Sequence, residues 1–158
     1  MLKFRQPKIS IMKKLLVPID LSEFSKEIID EAIKLAKISD AEVILLNVAS
    51  LDVGFIVGDV GFQYLPELEE TALQEDAKTL NDFTNYVNAQ GVKCHSLVKQ
   101  GIPVDIILEQ AKEQNIDCIV IGSKGHGSLY EALVGSVCHD VIKYSKIPVH
   151  VKPNNKKD

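Results

Sequence analysis

Four short apolar runs punctuate a mixed chain: KLLVPI at 14–19, EVILLNV at 42–48, CIVIG at 118–122 and IPVHV at 147–151. The first three are almost unbroken in Val, Ile and Leu, the pattern of parallel strands covered on both faces rather than of hairpin strands with one wet face. A fifth segment, VKCHSLVK at 92–99, alternates as a less buried strand does. Between these runs the period shifts to that of a helix. Ile28, Ile29, Ala32, Ile33 and Ala36 share one face, with Ser22 placed to cap the start. From Pro66 to Ala89 the apolar stripe is Leu68, Ala72, Leu73, Ala77, Leu80, Phe83 and Val87, and Gly91 ends it. Pro103 opens another helix through Ile106, Ile107 and Ala111, and a last helix is expected over Gly135–Tyr144.

Strands alternating with helices in this way predict an α/β fold, an open parallel sheet with helices on both faces joined by right-handed crossovers. A chain of 158 residues suits one such domain, expected over 13–152, with an N-terminal arm at 1–12 and a tail at 153–158. Residues 51–65, LDVGFIVGDVGFQYL, fit neither period. They read as a long and unusually apolar connection, either a lid, a partner contact or a segment packed on its own domain.

Composition narrows the function classes. Hydrophobic residues at 46% and charged residues at 25% are ordinary for a globular chain, so disorder is not expected. A net charge of −4 with scattered lysines supplies no field for a nucleic-acid backbone. No apolar run approaches a membrane span, and MLKFRQPKIS lacks the apolar middle of a signal peptide. The expectation is a cytoplasmic protein with neither nucleic acid nor membrane as partner. Cys94, Cys118 and Cys138 are odd in number, far apart and without a C-x-x-C pair, so they read as small buried hydrophobes. His95, His139 and His150 lack ligand spacing, and no structural metal is indicated.

Candidate chemistry gathers in SKGHGSLYEALVGS, residues 123–136, immediately after the CIVIG run. Glycines at 122, 125, 127 and 135 around one connection suggest a place where side chains must be absent. Gly122 and Gly125 would let main-chain N–H groups approach an anion directly. The helix beginning at Gly135 and Ser136 would aim its positive end at the same crevice, and Lys124 or His126 would add charge. Any one glycine alone reads as a turn residue; the group together favours phosphate. Where the first strand ends, VPIDLSEFS sets Pro18 and Asp20 at the edge of the sheet. Asp20 fits two roles equally, a turn or cap aspartate and a ligand for an adenine amino group or a metal ion.

The spacing Gly122-x2-Gly125-x9-Gly135-Ser136 resembles the nucleotide loop of the universal stress protein family. VPIDLSEFS, EVILLNVAS and IPVHVKP are similar to that family's first, second and final strands, so the likeness spans about residues 13–152. The resemblance implies a Rossmann-like five-stranded sheet of order 3-2-1-4-5, of the adenine nucleotide alpha hydrolase type. It implies ATP with Mg2+ as ligand. Pro18, Asp20 and the main chain of Val48 would surround the adenine with Ile121 nearby, and Gly122, Gly125, Gly135, Ser136 and Val137 would hold ribose and phosphates. It implies a homodimer paired through the last strand, 147–152, which would bury Val149 and Val151. One departure is visible: the family often has His where this chain has Asn47, and the main-chain contact at Val48 is expected not to depend on that side chain.

The chain has no G-x-x-x-x-G-K-[ST] loop, and nothing pairs Asp20 or His126 with an orienting partner. The function expected is nucleotide-dependent stress response or signalling with at most slow hydrolysis. Two other readings stand beside it. One is a weak ATPase in which Asp20 holds magnesium and His126 lies near the terminal phosphate. The other is an interaction module with an empty crevice, in which 51–65 carries the contacts.

Overall fold

A computed structural model describes residues 12–49, 55–58, 61–123 and 135–154. In chain order its elements are β1 (Lys14–Pro18), α1 (Glu23–Ser39), β2 (Glu42–Ala49), β3 (Phe55–Gly58), β4 (Gly61–Tyr64), α2 (Pro66–Ala89), β5 (Cys94–Gln100), α3 (Pro103–Glu113), β6 (Cys118–Gly122), α4 (Gly135–Tyr144) and β7 (Val149–Lys152). Five of the strands form one sheet in the order β5-β2-β1-β6-β7, with every pair parallel. Counted among themselves along the chain these strands run 3-2-1-4-5, the order the family resemblance implies.

The unbroken apolar runs follow from two cores. Side chains of a strand point alternately to opposite faces. Leu15, Val17, Val43 and Leu45 therefore pack with Phe24, Ile28 and Ile29 of α1 and with Leu80 and Val87 of α2. Leu16, Ile44, Leu46, Ile119 and Ile121 pack on the other face with Ile107 and Ala111 of α3 and with Cys138 and Val141 of α4. Each fully buried Leu or Ile contributes about 1.5–3 kcal/mol of transfer free energy, so a polar residue inside these runs would need a partner.

The segment expected as a connection over 51–65 contains a hairpin. β3 and β4 pair antiparallel, Phe55 opposite Tyr64 and Gly58 opposite Gly61, as a two-stranded sheet apart from the main one. Gly61 adopts φ 102°, a conformation open to glycine and strained for other residues. Residues 50–54 and 59–60 lie outside the described residues, as do 1–11 of the arm and 155–158 of the tail.

Helix α2 also departs from its sequence pattern. Only Leu80 and Val87 of its stripe are buried, and Leu68 is left exposed. Along the first half of the helix runs a cleft of about 470 Å³ lined by Pro66, Glu69, Glu70, Leu73, Gln74 and Ala77. Amphipathicity states which side of a helix faces the core, not how far along its length the core reaches. Glu69 ties this half down, accepting from Gln100 Nε2 at 2.9 Å and from the Tyr64 hydroxyl.

At the amino ends of the strands Asp117 Oδ2 accepts the main-chain N–H groups of Lys13 (2.8 Å) and Lys14 (2.9 Å), fastening β1 to the start of β6. Glu42 pairs there with Lys93 (2.7 Å) and Lys14 (3.5 Å), joining β2 to its two neighbours. The Lys93 hydrogen bond holds the Glu42 carboxyl below its ordinary range. All three cysteines are buried free thiols, as the sequence implied. Burial pushes Cys94 up to about 11 and raises Cys118 and Cys138 as well. No described helix is long and apolar enough to cross a membrane.

Candidate functional site

In an open parallel sheet the ligand crevice forms beyond the carboxyl ends of the strands, where the strand order reverses. Here that point lies between β1 and β6. The two strands are paired through Leu15–Cys118 and Leu16–Ile119, and the last residues of each run on past this paired stretch. β1 leads into the Asp20 turn and β6 ends at Gly122. β2 extends three residues beyond the partner of Pro18, ending at Ala49.

Three of the apolar residues singled out at the site share one face of the sheet. Ile121 belongs to the core on the α3 and α4 side, and Val48 and Val137 pack against that core while staying partly exposed. Pro18 is buried and, two residues beyond Leu16, alternates to the same face. Val48, Ile121 and Val137 thus form an apolar wall on that face, with Pro18 buried at the end of β1. Gly135 begins α4, whose first N–H groups have no partner within the helix and point out of its start. Lys124, Gly125, His126 and Gly127 lie outside the described residues, as does the side chain of Ser136.

Asp20 acts as a turn residue. Its Oδ1 accepts from Ser22 N–H at 3.0 Å and from Ser25 Oγ at 3.1 Å, whereas Ser22, expected to cap α1, makes no side-chain capping bond. Leu21 between them is left-handed, φ 62°, which folds Asp20 back over the first turn of the helix. A non-glycine residue held in that region stores strain, about 1–3 kcal/mol, and such residues cluster at ligand sites. The Asp20 carboxylate remains exposed.

Gly122 has a packing reason for being glycine that its sequence context does not suggest. A Cβ placed on it would stand 2.7 Å from Phe24 Cε1 and 2.7 Å from Ile28 Cδ1. It would point at α1, on the sheet face opposite the apolar wall. What comes close to Gly122 on that side is the protein's own helix. Beyond it, Ser123 N–H donates to Lys152 O (3.0 Å) and Ser123 Oγ accepts from Asn154 N–H (3.0 Å), tying the exit of β6 to the end of β7.

Sequence reasoning passed over Asn47 as a site residue. It is 5% exposed, its Nδ2 donates to Ile19 O at 3.1 Å, and its Oδ1 has no donor among the described residues. The signal was present: one amide inside an apolar strand must be hydrogen-bonded or costly.

The arrangement fits a nucleotide. It offers an apolar wall, the start of a helix and an exposed carboxylate beyond the carboxyl ends of the strands. Among the described residues no group of three or more His, Cys, Asp or Glu could hold a metal ion by itself. That donor set suits Mg2+ only in the way Mg2+ is held in nucleotide sites, by phosphates and waters with one or two carboxylates.

Fold and site together define a doubly wound α/β protein with its crevice at the sheet's switch point. Residues 12–153 match the model of the universal stress protein family, and the chain belongs to that family. It is 33% identical over 144 residues to the universal stress protein YxiE of Bacillus subtilis, covering 88% of this chain and 97% of that one. The structure of MJ0577 from Methanocaldococcus jannaschii is similar with a TM-score of 0.75 at 30% identity, covering 93% of this chain and 99% of that one. Two more distant structures share the fold. One is a universal stress protein in complex with cAMP, with a TM-score of 0.69 at 23% identity, covering 91% and 98% of the two chains. The other is the universal stress protein of Archaeoglobus fulgidus in complex with dAMP, with a TM-score of 0.62 at 22% identity, covering 89% and 98%.

Proposed function

We propose that this protein binds ATP with Mg2+ at the crevice between β1 and β6 and acts in the cytoplasm as a nucleotide-dependent stress or signalling protein. The observation that carries the reading is the apolar wall that Val48, Ile121 and Val137 give the α3 and α4 side of the sheet, with Pro18 buried at the end of β1 just before the Asp20 turn. The adenine would lie on that wall, next to the main chain of Val48. The phosphates would meet the start of α4 at Gly135 and Ser136 and the glycine connection at Gly122 and Gly125. Relatives with cAMP and dAMP on the same fold support a purine nucleotide as ligand.

Hydrolysis would be slow at most. Oδ1 of Asp20 is committed to Ser22 and Ser25, and a catalytic base needs an orienting partner as well as a proton to take. Binding to the folded form alone would stabilise the protein, and signalling requires in addition that two states differ in affinity. A homodimer through 147–152 is part of the same proposal. β7 is an edge strand of the sheet, and such an edge offers its outward N–H and C=O groups to a second copy. Val149 and Val151 already pack against their own core, so the pairing would rest on main-chain bonds more than on those side chains.

The test is to purify the protein without added nucleotide, denature it and identify released small molecules by mass spectrometry, then titrate the emptied protein with ATP and Mg2+. Release of ATP or ADP, or saturable binding, supports the reading. An empty protein that binds no adenine nucleotide refutes it and moves attention to the hairpin and the cleft along α2. Sedimentation showing only monomer at working concentration refutes the dimer.

A further inference from the structure

The surroundings of Asn47 give this buried amide of β2 a specific task. Main-chain groups of β2 alternate between its two neighbours. Glu42 N–H bonds to Lys13 O and Leu46 O accepts from Ile19 N–H, on the β1 side; Val43 N–H bonds to Lys93 O and Ala49 O accepts from Gly101 N–H, on the β5 side. Val48 therefore faces β1. In a parallel ladder the rung after Ile19 N–H to Leu46 O is Val48 N–H to Ile19 O, followed by Leu21 N–H to Val48 O. Neither is formed among the described residues. Ile19 O accepts instead from Asn47 Nδ2 at 3.1 Å, and the chain leaves the sheet through the left-handed Leu21. The amide of Asn47 ends the β1–β2 ladder one rung early. Its Oδ1, on the same amide, is a buried acceptor without a donor among the described residues.

We infer that Asn47 is a positioning residue for base recognition: by occupying Ile19 O it keeps the N–H and C=O of Val48 unpaired and available to the ligand. This rests on the nucleotide reading above and adds a basis for choosing the base. An N–H beside a C=O complements a ring acceptor beside an amino donor, the edge that adenine presents. Guanine carries a carbonyl acceptor and a ring N–H in the inverted order and leaves both protein groups unpaired. A site built on such groups rejects the mismatched analogue strongly, because its own polar atoms stay unsatisfied. The contact at Val48 thus depends on the side chain at 47, contrary to the expectation from sequence.

Two measurements test this, and they separate it from the reading it rests on. Amide hydrogen exchange by NMR on the nucleotide-free protein should show Val48 exchanging far faster than Leu46, and in Asn47→Leu, where Ile19 O is released, Val48 should become protected. Calorimetry with ATP, GTP and inorganic triphosphate should show the ATP affinity of Asn47→Leu falling by about tenfold or more toward that for GTP. Triphosphate binding should be unchanged, and Asn47→His, which keeps a ring N–H for Ile19 O, should retain discrimination. Val48 as protected as Leu46 in the wild type would overturn the inference, with no variant needed. ATP over GTP preference surviving intact in Asn47→Leu would overturn it too. A wild type that binds no adenine nucleotide while Val48 exchanges fast would overturn the nucleotide reading and leave the ladder role of Asn47 supported.

Discussion

Phe24 Cε1 of α1 stands 2.7 Å from the position a Cβ would take on Gly122. Both Phe24 and Ile28, which closes the same gap, are buried in a packed core, so neither can retreat cheaply. Gly122→Val should therefore lower stability by about 1–3 kcal/mol, the usual range for overpacking, read as a fall in the urea midpoint at unchanged slope. An unchanged midpoint would mean that α1 is not seated against the end of β6. Loss of nucleotide binding in this variant would not by itself locate phosphate at Gly122, because the displaced helix also carries the Asp20 turn.

Asp117 accepts two main-chain N–H groups at the start of β1. Asp117→Ala leaves both donors to water and should cost about 1–2 kcal/mol, since hydrogen bonds to a charged acceptor exceed the neutral average. Asp117→Asn, which keeps one acceptor oxygen, should recover part of the loss. Equal midpoints for Asp117→Ala and wild type would show that solvent replaces these bonds without penalty.

Glu42 predicts a pH dependence with a definite sign. Its folded-state pKa is lowered, first by the Lys93 hydrogen bond, so it binds its proton less readily folded than unfolded. Its stabilisation is then full above the unfolded value and is lost as pH falls through the folded one. Lys93 is 80% exposed, which limits the contribution to less than about 1 kcal/mol. Glu42→Gln should thus be slightly less stable than wild type at neutral pH, and the difference should vanish in acid. A difference that persists or grows in acid would contradict this assignment.

The thiols of Cys94, Cys118 and Cys138 are buried, and burial disfavours their thiolates, Cys94 titrating only near 11. At neutral pH none should react quickly with a chromogenic disulfide reagent in the native state, and all three should react in urea. One rapid equivalent from the folded protein would show that a thiol reaches solvent.

The parallel strands were legible because burial on both faces demands continuous Val, Ile and Leu, and no other short element shows that pattern so plainly. The hairpin at 55–64 was not, because its pairing is local and its glycines at 58 and 61 read as loop punctuation until a partner strand is recognised. For the site, Pro18, Val48, Ile121 and Val137 were named from motif position, and the last three pack against one core. The turn role of Asp20 stood as one of two sequence options, and its bonds to Ser22 and Ser25 were not in the pattern.

Sequence alone determined the element types, the layered α/β class and the end of the sheet where a ligand would sit, since these follow from period, composition and strand–helix alternation along neighbouring residues. Tertiary structure alone decided what a side chain at 122 would meet and what Asn47 bonds to. Their partners, Phe24 and Ile19, are far away along the chain and adjacent only once the sheet has formed. A side chain's packing neighbour across a fold leaves no period in the sequence; only the folded backbone brings the two together.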